Sequence, residues 1–348
     1  MTNCVSDTDK IYIYIHPVYI AKMEDDARRF EVLKKDGHIN MNNFYERLIL
    51  GFYEEYSKQE NRITNRIIES LSDLNAPDAT KHLVADSILQ TVIHSEEILN
   101  ESAKRKRISY RPTRNASKML DSILKLHAGK KGVSQYFAEM MVSYCKLPMS
   151  KRERIIHKEN FDKLVRLLQP DCSSRISLVL KDSFEVTREV IPYKIAVGKD
   201  EMFNYLLCAE ISNNKVIASS FRINRMEGIV VAPGDATIPY IVKNYLEKME
   251  INGPQYQINS DVETCVRLTD RGVRNYRRIN YGRPTEIRID DKDNAHYYYF
   301  RCSFDQLYLY FRRFGKDAEV LYPDPLRERM KDFYIKATSV YEKGENNG

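Results

Sequence analysis

Hydrophobic positions in the first 150 residues follow two periods in turn. In KIYIYIHP, Ile11, Ile13 and Ile15 alternate with Tyr12, Tyr14 and His16, the period of a half-buried strand. From Val18 to Lys34, Ile20, Ala27, Phe30 and Leu33 recur at helical spacing; Asp36 and Gly37 break the pattern, and NNFYERLILGFYEEY predicts a second helix. About ninety residues later the order returns. RKRISYRP is a short alternating strand, ASKMLDSILKLHAG a helix closed by glycine, and VSQYFAEMMVSYC another helix. A constant offset sets Gly37 over Gly129, Asn42 over Ser134, Phe44 over Tyr136, Leu48 over Met140, Ile49 over Met141 and Phe52 over Tyr144. The strands need a further three-residue shift, which a loop difference accommodates. Residues 62–100 are helical by pattern and would join the two copies.

This repeat resembles the ribbon-helix-helix fold, in which one strand cannot close a sheet and pairs antiparallel with the strand of a second copy. The resulting ribbon fits a major groove. Here one chain would supply both copies. Alternation places Tyr12 and Tyr14 of the first strand, and Arg107, Ser109 and Arg111 of the second, on the reading face. Arginine forks onto guanine or phosphate, whereas exposed tyrosines suit stacking on unpaired bases. The alternatives are that the tyrosines pack under a neighbouring domain and that the KRKR run, Lys104 to Arg107, is a solvated linker. Arg111 and Arg114 nearby favour phosphate contact equally.

After Pro148, SKRERIIHKENFDKLVRLLQ reads as a charged helical link into a domain starting near Asp171. Residues 175–231 then give five short alternating segments with turn signals between them: RISLVLKD, FEVTREVIPYKI, FNYLLCAEI, KVIASSFRI and MEGIVV. They predict a small barrel. Arg188 and Pro192 precede Asn204-Tyr205-Leu206, and Ser220-Phe221-Arg222 with Arg225 follows. In that order they resemble the WYL domain, an Sm/SH3-like barrel, with Asn204 in place of the family's tryptophan. Alternation sends Ile217, Phe221 and Ile223 inward and leaves Ser220 and Arg222 on the other face. The resemblance implies a nucleic-acid or nucleotide ligand for Arg188, Tyr205, Ser220, Arg222 and Arg225. Without it, a surface salt bridge from the arginines to Glu210 or Glu227 serves equally well.

From Cys265 the order is strand TCVRLT, helix DRGVRNYRRI, strands EIRIDD and HYYYFRCS, helix FDQLYLYFRRFG, strand AEVLYP and a last helix: βαββαβ and ferredoxin-like. Ser303 and Gln306 predict a capping box, Gly315 a helix end, and Asp324-Pro325 a helix start. FRRFGKDAEVLYPDPLRERM resembles the extension that follows WYL barrels in bacterial regulators. Seven arginines between Arg267 and Arg288, among them Arg274, Arg277 and Arg278, face only Asp270 and Glu286. Nucleic-acid contact and a dimer interface are both open for that helix.

At 348 residues the chain predicts several domains: 1–150 tandem repeats, 151–172 a helical linker, 173–250 the WYL domain and 251–348 its extension. The expected class is α+β and multidomain. A net charge of +6 is modest, so its local runs matter more than its sum. There is no tryptophan but there are 24 tyrosines, rings that can pack or stack on bases. The six cysteines lie far apart without metal-ligand spacing and read as reduced thiols; no metal or cofactor is expected. The polar start and the absence of a long apolar run predict a cytoplasmic protein with no membrane partner. No nucleophile-and-base set, P-loop or H-E-x-x-H is present, so catalysis is not expected; His16 and His296 read as structural.

Two functions remain. A WYL transcriptional regulator would bind duplex DNA through the ribbon under control of a ligand sensed by the barrel. The pairing of a ribbon-helix-helix with a WYL domain, however, resembles the WYL accessory proteins of type VI-D CRISPR systems. That resemblance implies single-stranded RNA and the RNA-targeting effector as partners, with enhancement of its activity, a homodimer, and DNA as a further partner. Surfaces rich in tyrosine and arginine fit single-stranded RNA, which favours the accessory reading.

Overall fold

The computed structural model describes residues 10–73, 75–89, 105–113, 116–117, 120–121, 123, 132–172, 174–181, 186–213, 215–234, 236–292 and 295–342. The class is α+β. The chain divides into two compact units, Met1–Phe161 and Asp162–Gly348, so the division falls within the stretch expected to be a linker.

In the first unit β1 (Ile11–Ile15) pairs antiparallel with β2 (Lys106–Tyr110), Ile13 opposite Ile108 and Tyr14 opposite Arg107. Ile13, Ile15, Ile108 and Tyr110 are buried, while Tyr12 and Tyr14 are exposed. Helix α1 (Pro17–Arg29) starts where His16 Nδ1 accepts from the Val18 N–H at 3.2 Å, with Pro17 at a position that needs no donor. It stops short of the expected Lys34. Glu31 takes a left-handed φ of 54°, its N–H bonding Arg28 O and that of Val32 bonding Ala27 O, which closes the last turn. Phe30 and Val32 both end buried.

Helix α2 (Met41–Ser70), capped by the Asn40 side chain, runs unbroken through sequence that reads as two helices. After it come α3 (Asp78–Ile88), α4 (Val133–Lys146), α5 (Met149–Ile156) and α6 (Lys158–Leu167). The equivalent positions of the repeat meet in one core: Phe44 and Phe52 lie edge-on to Tyr144 at centroid distances of 6.1 and 6.4 Å, beside buried Leu48, Met140 and Met141. Buried Asp26 accepts from Arg152 Nε at 2.7 Å, Arg152 Nη2 at 2.9 Å and the Tyr144 hydroxyl at 3.1 Å, which ties α1, α4 and α5 together. The helix expected over 116–129 falls mostly outside the described residues, as do Lys104 and Arg114.

The second unit holds two antiparallel sheets. The first consists of β3 (Arg175–Leu180), β4 (Val186–Val197), β5 (Asn204–Ser212), β6 (Lys215–Arg222) and β7 (Met226–Ala232) in the order β6-β5-β4-β3-β7. Its strands are those the sequence predicts, but no ladder joins β6 to β7 among the described residues, so the sheet is open where a closed barrel was expected. Pro192, with no N–H to give, sits where the register slips against β5. Helix α7 (Tyr240–Asn252) covers one face through Val242, Leu246 and Met249 on Leu207, Ala209 and Ala218.

The second sheet comprises β8 (Thr264–Leu268), β9 (Arg288–Lys292), β10 (Ala295–Phe300) and β11 (Ala318–Tyr322) in the order β11-β8-β10-β9. Helices α8 (Asp270–Arg278), α9 (Phe304–Phe311) and α10 (Asp324–Glu342) complete the strand-helix-strand-strand-helix-strand order. Tyr276, Tyr298, Phe300, Tyr310 and Phe311 fill its core. The capping box does not form: Ser303 makes no side-chain cap bond, and buried Gln306 points its amide at the carbonyls of Asn252 and Gly282, each at 3.4 Å. Among the described residues no helix is long and apolar enough to cross a membrane.

Candidate nucleic-acid interface

The β5–β6 pairing sets Arg222 opposite Tyr205 and Ser220 opposite Leu207. Even-numbered residues of β6 therefore share a face with the residues under α7, and Ala218 is fully buried there. Ser220 and Arg222, further along the strand, border a cleft of about 710 Å³. Phe221, expected to point inward, is only half-buried and lines the cleft too. Lys181 after β3 and Arg225 in the 3-10 turn Ile223–Arg225 add charge from the first sheet. Arg312 and Arg313 at the end of α9, and Arg329 on α10, add it from the other side. Against these six cations stand two lining carboxylates, Glu201 and Asp305.

Arg222 is held tightly. Its Nη2 lies 2.5 Å from Glu201 Oε2, its Nε donates to the Tyr205 hydroxyl at 3.0 Å, and its guanidinium stacks 4.1 Å from the Phe203 ring centre. Burial alone would lower its pKa, but the bonds to Tyr205 and Glu201 raise it, so the charge is fixed. Arg329 pairs with Asp305 at 2.5 Å and lies 4.1 Å over Tyr308. Arg312 stacks on Tyr308 and Phe333, and Arg313 on Tyr310, and neither pairs with a carboxylate among the described residues. Tyr281, 54% exposed, and Tyr256 bring aromatic rings to the same space.

The structure separates the remaining predicted residues. Tyr205 borders the cleft but is only 5% exposed, its hydroxyl donating to Glu201 at 2.9 Å and accepting from Arg222, so the ring supports Arg222. Arg188 stands apart from the cleft, its Nη1 3.4 Å from buried Glu210, which also accepts from Ser219 at 2.6 Å. Of the two carboxylates offered by the sequence, Glu210 thus serves Arg188, while Arg222 turns to Glu201. Arg107 lies in the first unit with its guanidinium 4.9 Å over the ring of Tyr12, on the ribbon face that also carries Tyr14 and Ser109. Arg111 is exposed, its backbone N–H and C=O both bonded to the Asn42 side chain.

Arg274, Arg277 and Arg278 project from the exposed side of α8 and do not border the cleft. The arginine cluster is partly satisfied within the chain after all: Arg267 pairs with Glu319, Arg271 with Asp317 at 3.5 Å and Arg288 with Asp290 at 3.3 Å. Sequence reasoning missed Arg312, Arg313, Arg329 and Glu201 as cleft residues. The FRRFG run is visible in the chain, but only the fold brings it beside Arg225. Among the described residues no group of three or more His, Cys, Asp or Glu could hold a metal ion.

No protein-family model matches this sequence, and no curated protein matches it. Among solved structures, the chain is similar to one described as a CRISPR Cas-related protein, at 20% identity and a TM-score of 0.71, covering 97% of this chain and 95% of that one. The two share a fold along nearly their whole length. A second similarity, to the proteasome accessory factor B/C of Arthrobacter aurescens, has 12% identity and a TM-score of 0.25, over 64% of this chain and 35% of that one.

Proposed function

We propose that the chain is a nucleic-acid-binding accessory protein that takes single-stranded RNA in the cleft beside Arg222 and Arg225 and enhances the activity of an RNA-targeting type VI-D CRISPR effector. On this reading the five-stranded sheet is a WYL domain, the βαββαβ unit its ferredoxin-like extension, and residues 1–150 a tandem ribbon-helix-helix. The protein acts by binding, without catalysis, as a cytoplasmic homodimer. The supporting observation is the cleft itself: among the described residues Arg312 and Arg313 have no carboxylate partner, and half-exposed aromatic rings stand beside them. Cations that track a backbone, together with rings on which bases stack, are what a flexible single strand requires. A fold shared with a CRISPR Cas-related protein accords with this reading.

The ribbon supports a second reading, a transcriptional regulator that binds duplex DNA, because Tyr12, Tyr14 and Arg107 line one exposed face. Binding of the full chain to matched single-stranded RNA, single-stranded DNA and duplex DNA at one salt concentration separates the two. Single-stranded RNA is expected to bind tightest. Replacing Arg312 and Arg313 with alanine should weaken it roughly ten-fold and make the salt dependence shallower, by about 0.7 in slope for each phosphate no longer neutralised. A duplex preference indifferent to those substitutions would replace the accessory reading with the regulator.

A further inference from the structure

Glu201 is out of place in a site for a polyanion. It stands on the turn between β4 and β5, and its backbone setting is firm: Asp200 accepts from the Gly282 N–H at 2.8 Å, and Met202 holds a left-handed φ of 60°. One carboxylate oxygen, Oε2, takes both the Tyr205 hydroxyl and Arg222 Nη2. The other, Oε1, accepts no hydrogen bond among the described residues, although the residue borders the cleft. A carboxylate anchored through one oxygen presents the second as a fixed acceptor. Tyr281 borders the same space as Glu201, and burial first, then the charges of Glu201 and Asp200, raise the pKa of its hydroxyl.

We propose that Glu201 is a base-reading residue of this cleft: its free oxygen accepts from the exocyclic amino group of a nucleobase stacked against Tyr281, with the phosphates on Arg312 and Arg313. The inference rests on the cleft being the RNA site. A carboxylate pairs with the N4 amine of cytosine, whereas uracil presents the O4 lone pairs at that position and repels it. Cytidine-rich strands are therefore preferred to uridine-rich ones.

The anchoring makes one variant decisive. In Glu201→Gln, the side-chain oxygen must occupy the position facing two donors, so the amide nitrogen takes the place of Oε1 and turns an acceptor into a donor. Fluorescence anisotropy of the full chain with labelled cytidine and uridine dodecamers should show the cytidine strand bound about ten-fold more tightly by the original protein. E201Q should reverse that order, and E201A should abolish it; thermal melting of each variant checks that the fold is kept. Equal binding of the two strands by the original protein, or a cytidine preference that survives in E201Q, overturns the proposal. If R312A/R313A leaves both strands bound as before, the cleft is not the RNA site and the proposal falls with it. Loss of binding in R312A/R313A with an unaltered preference in E201Q would sink the base reader alone.

Discussion

At the scale of single residues, the second unit uses its charges in two ways. Arg222 is clamped by Glu201, Tyr205 and Phe203 and serves as architecture as much as contact, whereas the partners of Arg312 and Arg313 among the described side chains are aromatic. His296 belongs to the architectural kind. Its two ring nitrogens lie 3.0 Å from Asp270 and 2.7 Å from Asp291, joining β10 to the start of α8 and to β9, and those bonds raise its pKa. A histidine whose folded pKa is raised stabilises fully below its unfolded value of about 6.5, and loses that contribution as pH climbs through the higher folded value. Melting temperatures of the original protein and His296→Gln should thus differ most on the acid side and converge as the solution becomes alkaline. A constant gap would mean that the bonds do not depend on the charge.

At the scale of elements, close approach decides where helices can cross. A Cβ on Gly51 would sit 2.3 Å from the Ile155 carbonyl oxygen, so α2 and α5 meet only because that position is bare. Gly51→Ala should cost about 1–3 kcal/mol in chemical denaturation, since backbone has to move to admit the methyl. Such a crossing is invisible in the sequence, whereas much around it is legible. Strands and helices follow from periodicity, and the pairing of β1 with β2 follows from a repeat that aligns Phe44 with Tyr136 and Phe52 with Tyr144. The early stop of α1 was not legible, because it depends on Glu31 accepting a left-handed conformation that glycine usually supplies. Nor was the unformed capping box, since Gln306 is drawn away by carbonyls from distant segments. The cleft was legible on the strand side only: alternation marks Ser220 and Arg222, but Arg312 and Arg313 come from a helix some ninety residues further on, which no local period connects. Tyr205 was legible as a cleft residue, but not its burial beneath Arg222, which depends on Glu201 arriving from the preceding turn.

At the scale of the whole molecule, a net charge of +6 is divided among surfaces of different chemistry: a ribbon of tyrosine and arginine in one unit, an arginine-lined cleft in the other. The ribbon has a kinetic consequence. Its partners, Ile13 and Ile108, are remote along the chain, and closing so long a loop costs entropy that two short strands cannot offset by themselves. We expect the strands to meet after α4, which packs against both β1 and α2, has docked on α2. Trimming the ribbon's buried side with Ile13→Val should therefore speed unfolding and leave the refolding rate nearly untouched in stopped-flow measurements. On that order the face that carries Tyr12 and Tyr14 would be the last piece of its unit to assemble, and a ligand gripping it would act as a late-added brace, prolonging the lifetime of the native state without hastening its arrival.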